Sequence, residues 1–146
     1  MSETTETKTT RASDTTDAGT PDTGTAGPRL ERRALGAYGE RVAARHLAEA
    51  GLVLLERNWR CDEGEIDLVL REGPVLVVCE VKTRTSLVNG SPHEAITDAK
   101  LDRLRRLGGR WAAARGVVPP ETRVDLVAVM RPRRGPALVE HVRGIG

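Results

Sequence analysis

The stretch GEIDLVLREGPVLVVCEVKT, residues 64–83, contains two apolar runs separated by Glu72-Gly73. The runs 65–71 and 74–83 are rich in Val, Leu and Ile, residue types that favour or tolerate β-strands. An acidic residue followed by Gly between two such runs is typical of a hairpin turn. The stretch therefore predicts a β-hairpin whose charged residues lie mostly at the end away from the turn.

The register of this hairpin predicts which charged side chains share a face. A two-residue turn at 72–73 would pair Arg71 with Pro74, which places Glu65 opposite Glu80. Side chains alternate faces along a strand, and directly paired residues share a face. One face of the hairpin is therefore predicted to carry four charged residues: Glu65, Asp67, Glu80 and Lys82.

Such a set of carboxylates indicates a cation site. Carboxylates that face each other across a sheet repel, and Mg²⁺ is commonly held by one or two carboxylates with water and phosphate oxygens. Lys82 could direct its ammonium group at the same phosphate or at the attacking water. Asp67, Glu80 and Lys82 thus predict a metal site for phosphodiester hydrolysis, with Glu65 as an auxiliary ligand or as a source of raised carboxylate pKa. The alternative is a solvated strand face with an exposed Glu65–Lys82 ion pair.

The choice of basic residues singles out two lysines. Of 23 basic residues, 20 are Arg and only Lys8, Lys82 and Lys100 are Lys. Arginine is the default cation of this chain, so a lysine in the folded part suggests a role that a planar guanidinium does not serve. Only Lys82 and Lys100 lie outside the N-terminal tail.

The rest of the chain predicts two helices and three more strands. Apolar residues at helical spacing predict a helix over 35–50, in which Gly36 and Gly39 mark either close backbone approach or a frayed turn. A second helix is predicted from Ser91, whose capping box includes Glu94. Further strands are predicted at 52–57, 123–130 and 137–142. The order α-β-β-β-α-β-β predicts an α/β domain with a mixed sheet flanked by two helices.

The N-terminal segment differs in composition from the rest. Residues 1–29 contain ten Thr and few apolar side chains, which predicts a disordered tail before one folded domain at 30–146. The tail has no apolar core like that of a signal peptide, and no run reaches the roughly 20 apolar residues that span a bilayer. Cys61 and Cys79 form no CxxC pair, so two reduced thiols in a cytoplasmic protein are expected.

Several motifs, in order, resemble one bacterial family. They are Gly36…Gly39-Glu40, Arg57-Asn58-Trp59-Arg60, Gly64-Glu65-Ile66-Asp67-Leu68, Glu80-Val81-Lys82-Thr83-Arg84, Gly90-Ser91-Pro92 with Glu94-Ala95-Ile96, Lys100, and Arg123-Val124-Asp125. Together they cover roughly residues 30–142 and resemble the YraN-like family of uncharacterised proteins. That family is similar to the PD-(D/E)xK nuclease superfamily, close to archaeal Holliday junction resolvases.

The resemblance implies a fold, a reaction and a set of residues. It implies a restriction-endonuclease-like core and endonuclease-like cleavage of DNA that depends on Mg²⁺ or Mn²⁺, including branched repair or recombination intermediates. Asp67 and Glu80 would be metal ligands, Lys82 the catalytic cation, and Glu40 a further acidic contributor to the metal site. Candidate contacts to nucleic acid are Arg60, Arg84 and Lys100.

Other functions remain open at this point. The main alternative is a non-catalytic module that keeps the nuclease fold and binds nucleic acid or a partner protein; a weaker one is an RNA-directed nuclease. With two Trp, one Tyr and no Phe, the chain lacks the aromatic surface of RNA-recognition or single-strand-binding domains. A homodimer would suit cleavage of both strands.

Overall fold

The computed structural model describes residues 27–85 and 96–145. Within these two ranges, two helices and five strands follow one another in the predicted order, which confirms the α/β fold class. They are α1 (Gly27–Glu49), β1 (Val53–Cys61), β2 (Gly64–Glu72), β3 (Val75–Arg84), α2 (Asp98–Arg115), β4 (Glu121–Met130) and β5 (Leu138–Val142). The predicted disorder of residues 1–29 stays a prediction, because residues 1–26 lie outside the described part.

The five strands form one mixed sheet in the order β1-β2-β3-β4-β5. Strands β3 and β4 are parallel and the other neighbours are antiparallel. The parallel pair requires a crossover, and α2 lies in that connection. The described residues from Ala34 onward belong to one compact unit.

Each face of the sheet is covered by one helix. Ala43, Ala44 and Leu47 of α1 pack with one set of sheet residues, including Leu68, Leu70, Val77 and Cys79. Leu101, Leu104, Leu107 and Trp111 of α2 pack with a second set, including Val69, Leu76 and Val78. Residues 76–79 are buried on both faces, which explains why this part of the sequence reads as a continuous apolar run.

Three predicted boundaries were wrong. Helix α1 begins at Gly27, eight residues before the predicted start. Strand β1 continues to Cys61, beyond the end predicted at residue 57, because the edge of the sheet lets polar side chains face solvent while the backbone pairs with β2. Helix α2 begins after Thr97, which is extended and accepts a hydrogen bond from the Lys100 N–H. The capping box predicted at Ser91 and Glu94 lies outside the described residues.

Gly39 allows α1 to approach β3 closely. A Cβ atom added at Gly39 would lie 1.8 Å from Thr83 Oγ1 and 2.9 Å from Thr83 Cβ, whereas one added at Gly36 would meet nothing within 4 Å. Close backbone approach, one of the two predicted roles, therefore applies to Gly39. The contact also sets the position of the next residue in the helix, Glu40.

Replacing Gly39 with Ala should destabilise the protein by about 1–3 kcal/mol, because the helix must move away from Thr83. Gly36→Ala is the matched control in the same helix. It should be neutral or stabilising by up to about 1 kcal/mol, because Ala is the better helix former and the site is open. Urea unfolding of both variants measures the difference, and equal free energies of unfolding would contradict the packing argument.

A buried charge network fixes the C-terminal end of the sheet. Asp125 is fully buried and accepts hydrogen bonds from Arg123 at 2.8 and 2.9 Å, from His141 Nε2 at 2.8 Å and from the Gly144 N–H at 2.9 Å. Burial by itself would raise the pKa of Asp125, but these hydrogen bonds outweigh burial and lower it. Asp125 has a structural role that accounts for all its described contacts.

Candidate active site

The hairpin between β2 and β3 has a different register from the one predicted. Glu72 pairs with Val75 and Leu68 with Cys79, so the turn is Gly73-Pro74. Gly73 has a φ of 56°, and Pro74 has no N–H to donate to a ladder, so these two residues suit the turn better than Glu72-Gly73. The predicted pairings of Arg71 with Pro74 and of Glu65 with Glu80 were therefore wrong. The shift is by two residues, which leaves the assignment of faces in a regular ladder unchanged.

Asp67 and Glu80 lie where the two hairpin strands separate. The pairing of β2 with β3 ends at Leu68 and Cys79, and Asp67 and Glu80 are the next residue on each strand. From there β2 stays paired with β1 and β3 with β4. The Val81 N–H donates instead to Asp67 Oδ2 at 2.9 Å, so a carboxylate takes the place of a ladder partner. The fork brings the two predicted metal ligands together.

The local geometry of β2 also departs from strict alternation. Ile66 and Val69 both pack in the cluster that contains α2, whereas Leu68 and Leu70 pack in the cluster that contains α1. The alternation of faces is thus interrupted at Asp67, which is the residue that leaves the ladder. The predicted common face for the four charged residues therefore does not follow from regular pleating alone.

The environment of Asp67 disfavours its charge. Burial and the neighbouring charge of Glu80 raise the pKa of Asp67 to about 7, although the hydrogen bond from Val81 opposes the shift. The charges of Glu40 and Glu65 add to the effect. A carboxylate near half ionisation at neutral pH is poised to take up a proton or a cation.

Two lysine ammonium groups contact the same carboxylate oxygen of Glu80. Lys82 Nζ lies 3.1 Å from Glu80 Oε2, and Lys100 Nζ lies 2.7 Å from the same atom. The Glu80 side chain is 8% exposed, so both ion pairs are largely shielded from water. Burial alone would lower the pKa of Lys100, but the pairing with Glu80 outweighs it and raises this pKa. The two lysines of the folded part therefore meet at one carboxylate.

Glu40 reaches the same group of carboxylates from α1. Burial raises the pKa of Glu40, and the charges of Glu65 and Glu80 raise it further. A hydrogen bond with the Asn58 side chain acts in the opposite direction. Asn58 has a φ of 52°, a left-handed conformation that Asn tolerates better than most residues. Sequence reasoning did not assign Asn58 a role, and an Asn in a polar stretch of an edge strand carried no signal that it would contact α1.

A cavity of about 350 Å³ opens beside the fork. It is lined by Glu63, Gly64, Glu65, Asp67, Glu80, Lys100, Arg103 and Leu104. Of the predicted nucleic-acid contacts, Lys100 is therefore inside the site. The Arg60 side chain is 78% exposed, and its Nε atom lies 3.6 Å from Oε2 of Glu65, a residue that lines the cavity. Arg84 lines a separate cavity with Met130 and Leu138, two residues beyond Lys82 on β3.

The donor set suits a hard divalent cation held partly by other ligands. Among residues 27–85 and 96–145, no three His, Cys, Asp or Glu side chains are grouped closely enough to hold a metal by themselves. Asp67 and Glu80 offer two carboxylates, which is the usual protein share of a Mg²⁺ site that is completed by water and phosphate oxygens. Burial and repulsion from Glu80 raise the pKa of Asp67, and a bound cation would offset this repulsion. The residues therefore fit Mg²⁺ or Mn²⁺.

Comparisons with known proteins add a family and relatives. A model of the uncharacterised protein family UPF0102 matches residues 39–129, a range that contains Glu40, Asp67, Glu80, Lys82 and Lys100. A UPF0102 protein of Nocardioides is 67% identical over 115 residues, covering 79% of this chain and 93% of the relative. A UPF0102 protein of Kineococcus radiotolerans is 61% identical over 113 residues, covering 77% and 93%. Neither described helix is long and apolar enough to cross a membrane.

Proposed function

This chain belongs to the uncharacterised protein family UPF0102, and we propose that it is a cytoplasmic, metal-dependent, endonuclease-like hydrolase of DNA phosphodiester bonds. Its membership confirms the family resemblance that the sequence motifs indicated. The proposed substrates include branched DNA of the kind formed in repair and recombination. The resemblance of the sequence motifs to PD-(D/E)xK nucleases supports the proposal, and so does the arrangement of Asp67, Glu80 and the two lysines.

The observation that carries the proposal is the fork in the sheet. Asp67 and Glu80 are brought together by the end of one strand pairing, and two lysines lie against Glu80. Two carboxylates held close together repel each other and so lower the stability of the fold. The same pair suits a site that binds a cation beside an anionic substrate. The compact ammonium groups of Lys82 and Lys100 are suited to contact phosphate oxygens.

Each residue of the site has a distinct task in this proposal. Asp67 and Glu80 would hold Mg²⁺ or Mn²⁺, with Glu40 as a further acidic group near them. The bound ion would polarise the phosphate and lower the pKa of a water molecule. Lys82 lies on the same strand as Glu80, with Nζ 3.1 Å from Glu80 Oε2, and would stabilise the negative charge that grows on the phosphate. Asn58 orients Glu40 through its hydrogen bond.

A binding module is the second candidate, and one observation favours it. Glu80 has two cationic partners among the described contacts, so these ion pairs offset its negative charge without a metal. A protein of this kind would bind nucleic acid through Lys100, Arg103 and neighbouring basic groups, and it would not cut. Lys100 and Arg103 would contact RNA phosphates in the same way, since phosphate contacts do not distinguish the two polymers.

Cleavage assays on defined substrates test the proposal. Purified protein should cut at least one of linear, nicked, flapped and four-way DNA in Mg²⁺ or Mn²⁺, and chelation with EDTA should stop the reaction. A matched single-stranded and hairpin RNA panel distinguishes the RNA-directed alternative. Binding to these substrates without cleavage in either metal would overturn the enzyme and leave the binding module.

Replacing Lys82 with Arg should lower the cleavage rate on the order of 100-fold, because a correctly placed catalytic group typically contributes that much or more. Arg would form a planar, two-pronged pair with Glu80 and hold that carboxylate away from a cation. Arg133→Lys, at an exposed position in the connection between β4 and β5, is the control and should change the rate less than twofold. Single-turnover cleavage measures both, and a fully active Lys82→Arg variant would show that lysine chemistry is not required.

A further inference from the structure

Lys82 and Lys100 share one oxygen of Glu80 although they come from different elements. Lys82 is on β3, two residues after Glu80, whereas Lys100 is in the first turn of α2. Both ammonium groups lie within 3.1 Å of Oε2. They are also the two lysines in residues 30–146, where all other cationic side chains except His are Arg. Two like charges at one atom require an explanation beyond a single ion pair.

We propose that Lys100 is an exchangeable counter-ion of the metal site: it occupies Glu80 when no divalent cation is bound and contacts a substrate phosphate when one is. This inference rests on the proposed function. It assigns Lys100 a role distinct from that of Lys82, because Lys100 links the metal site to the anionic substrate.

The position of Lys100 on its helix supports the exchange. Thr97 caps α2, and the Lys100 N–H bonds to the Thr97 hydroxyl, so Lys100 is the third residue of the helix. A cation there faces the positive end of the helix dipole, which is an unfavourable position for it. Glu80 compensates for this cost in the structure, and a phosphate at the same helix end would compensate for it equally well.

Competition for one oxygen of Glu80 gives the reason for the exchange. Lys100 Nζ lies 2.7 Å from Glu80 Oε2, so a divalent cation held by this carboxylate would meet the ammonium group at close range and repel it. Lys100 lines the cavity, where a phosphate of the substrate would accept the displaced ammonium group. Lys100 should therefore oppose metal binding in the absence of DNA and favour DNA binding in the presence of metal.

Two binding measurements on the full chain test this. Lys100→Met should bind Mn²⁺ about tenfold more tightly than wild type by calorimetry without DNA. In Ca²⁺, which generally supports binding better than cleavage at Mg²⁺ sites, the same variant should bind duplex DNA about tenfold more weakly by fluorescence anisotropy. Lys100→Gln, which keeps a hydrogen-bond donor near Glu80 without the charge, should behave in the same way and replaces Lys100→Met if that variant does not fold.

Arg103→Met is the matched control, because Arg103 lies one turn further along α2 and lines the same cavity. It should weaken DNA binding two- to threefold and change Mn²⁺ affinity less than twofold. Mn²⁺ affinity that is unchanged in Lys100→Met, or raised equally in Arg103→Met, would overturn the exchange while leaving the metal site intact. Absence of Mn²⁺ binding in every protein, wild type included, would instead overturn the proposed function together with this role of Lys100.

Discussion

Replacing Asp67 with Asn is expected to lower DNA cleavage at least about 1,000-fold and, above pH 7, to make the protein more stable. The loss of cleavage follows because an amide is a poor ligand for Mg²⁺ compared with a carboxylate. The gain in stability follows because Asn resembles the neutral form of Asp and its carbonyl oxygen can still accept the Val81 N–H. Activity and stability should therefore change in opposite directions.

The pH dependence of this gain has a definite sign. The pKa of Asp67 is raised from 3.8 to about 7, so between these values the folded protein holds a proton that the unfolded chain has released. Stability of the wild type therefore falls as pH rises through this window, and the full cost is reached above pH 7. At 1.36 kcal/mol per pKa unit, the rise from 3.8 to about 7 makes this cost about 4 kcal/mol.

Urea unfolding of both proteins at pH 4 and pH 8 measures the effect. The free energies of unfolding should be nearly equal at pH 4, and Asp67→Asn should be the more stable protein at pH 8. Comparing the two proteins at each pH removes the contributions of other titrating groups. An advantage of the variant that is the same at both pH values would show that burial and Glu80 do not raise the pKa of Asp67.

Replacing Glu80 with Gln is expected to stop cleavage to a similar extent but to destabilise the fold. The substitution leaves the ammonium groups of Lys82 and Lys100, which lie 3.1 and 2.7 Å from Oε2, without the anion between them. Removing one partner of a buried ion pair costs about 3–5 kcal/mol. Because both lysines are partly exposed to solvent, we expect a smaller loss, about 1–3 kcal/mol at pH 7.

Glu65→Gln is the matched control for Glu80→Gln. Glu65 pairs with the exposed Arg60 at 3.6 Å, so its loss should change stability by less than about 1 kcal/mol. Adding Lys100→Met to Glu80→Gln should restore part of the lost stability, since it removes one of the two positive charges that would repel each other at this position. If Glu80→Gln were as stable as wild type at neutral pH, the two lysines would not depend on Glu80 for their charge balance.

Much of the fold was predictable because its signals are local. The apolar runs, the acidic-Gly hairpin signal and the helical spacing predicted two helices and five strands in the observed order. Boundaries were less predictable, since the end of β1 depends on pairing with β2 and the start of α2 on its cap at Thr97. The predicted hairpin register was wrong by two residues because Gly73-Pro74 forms the turn instead of Glu72-Gly73.

The sequence by itself determined the chemistry of the candidate site: Asp67 and Glu80 on adjacent strands, Lys82 two residues on, and lysine as the rare cation in an arginine-rich chain. Tertiary structure alone decided how these groups meet. The end of the β2–β3 pairing lets Asp67 accept a hydrogen bond from the Val81 N–H, and α2 places Lys100 against Glu80. Side-chain alternation is a property of neighbouring residues, so it can be read along the chain. Convergence of a helix and two strands depends on packing between distant segments, and no local pattern contains it.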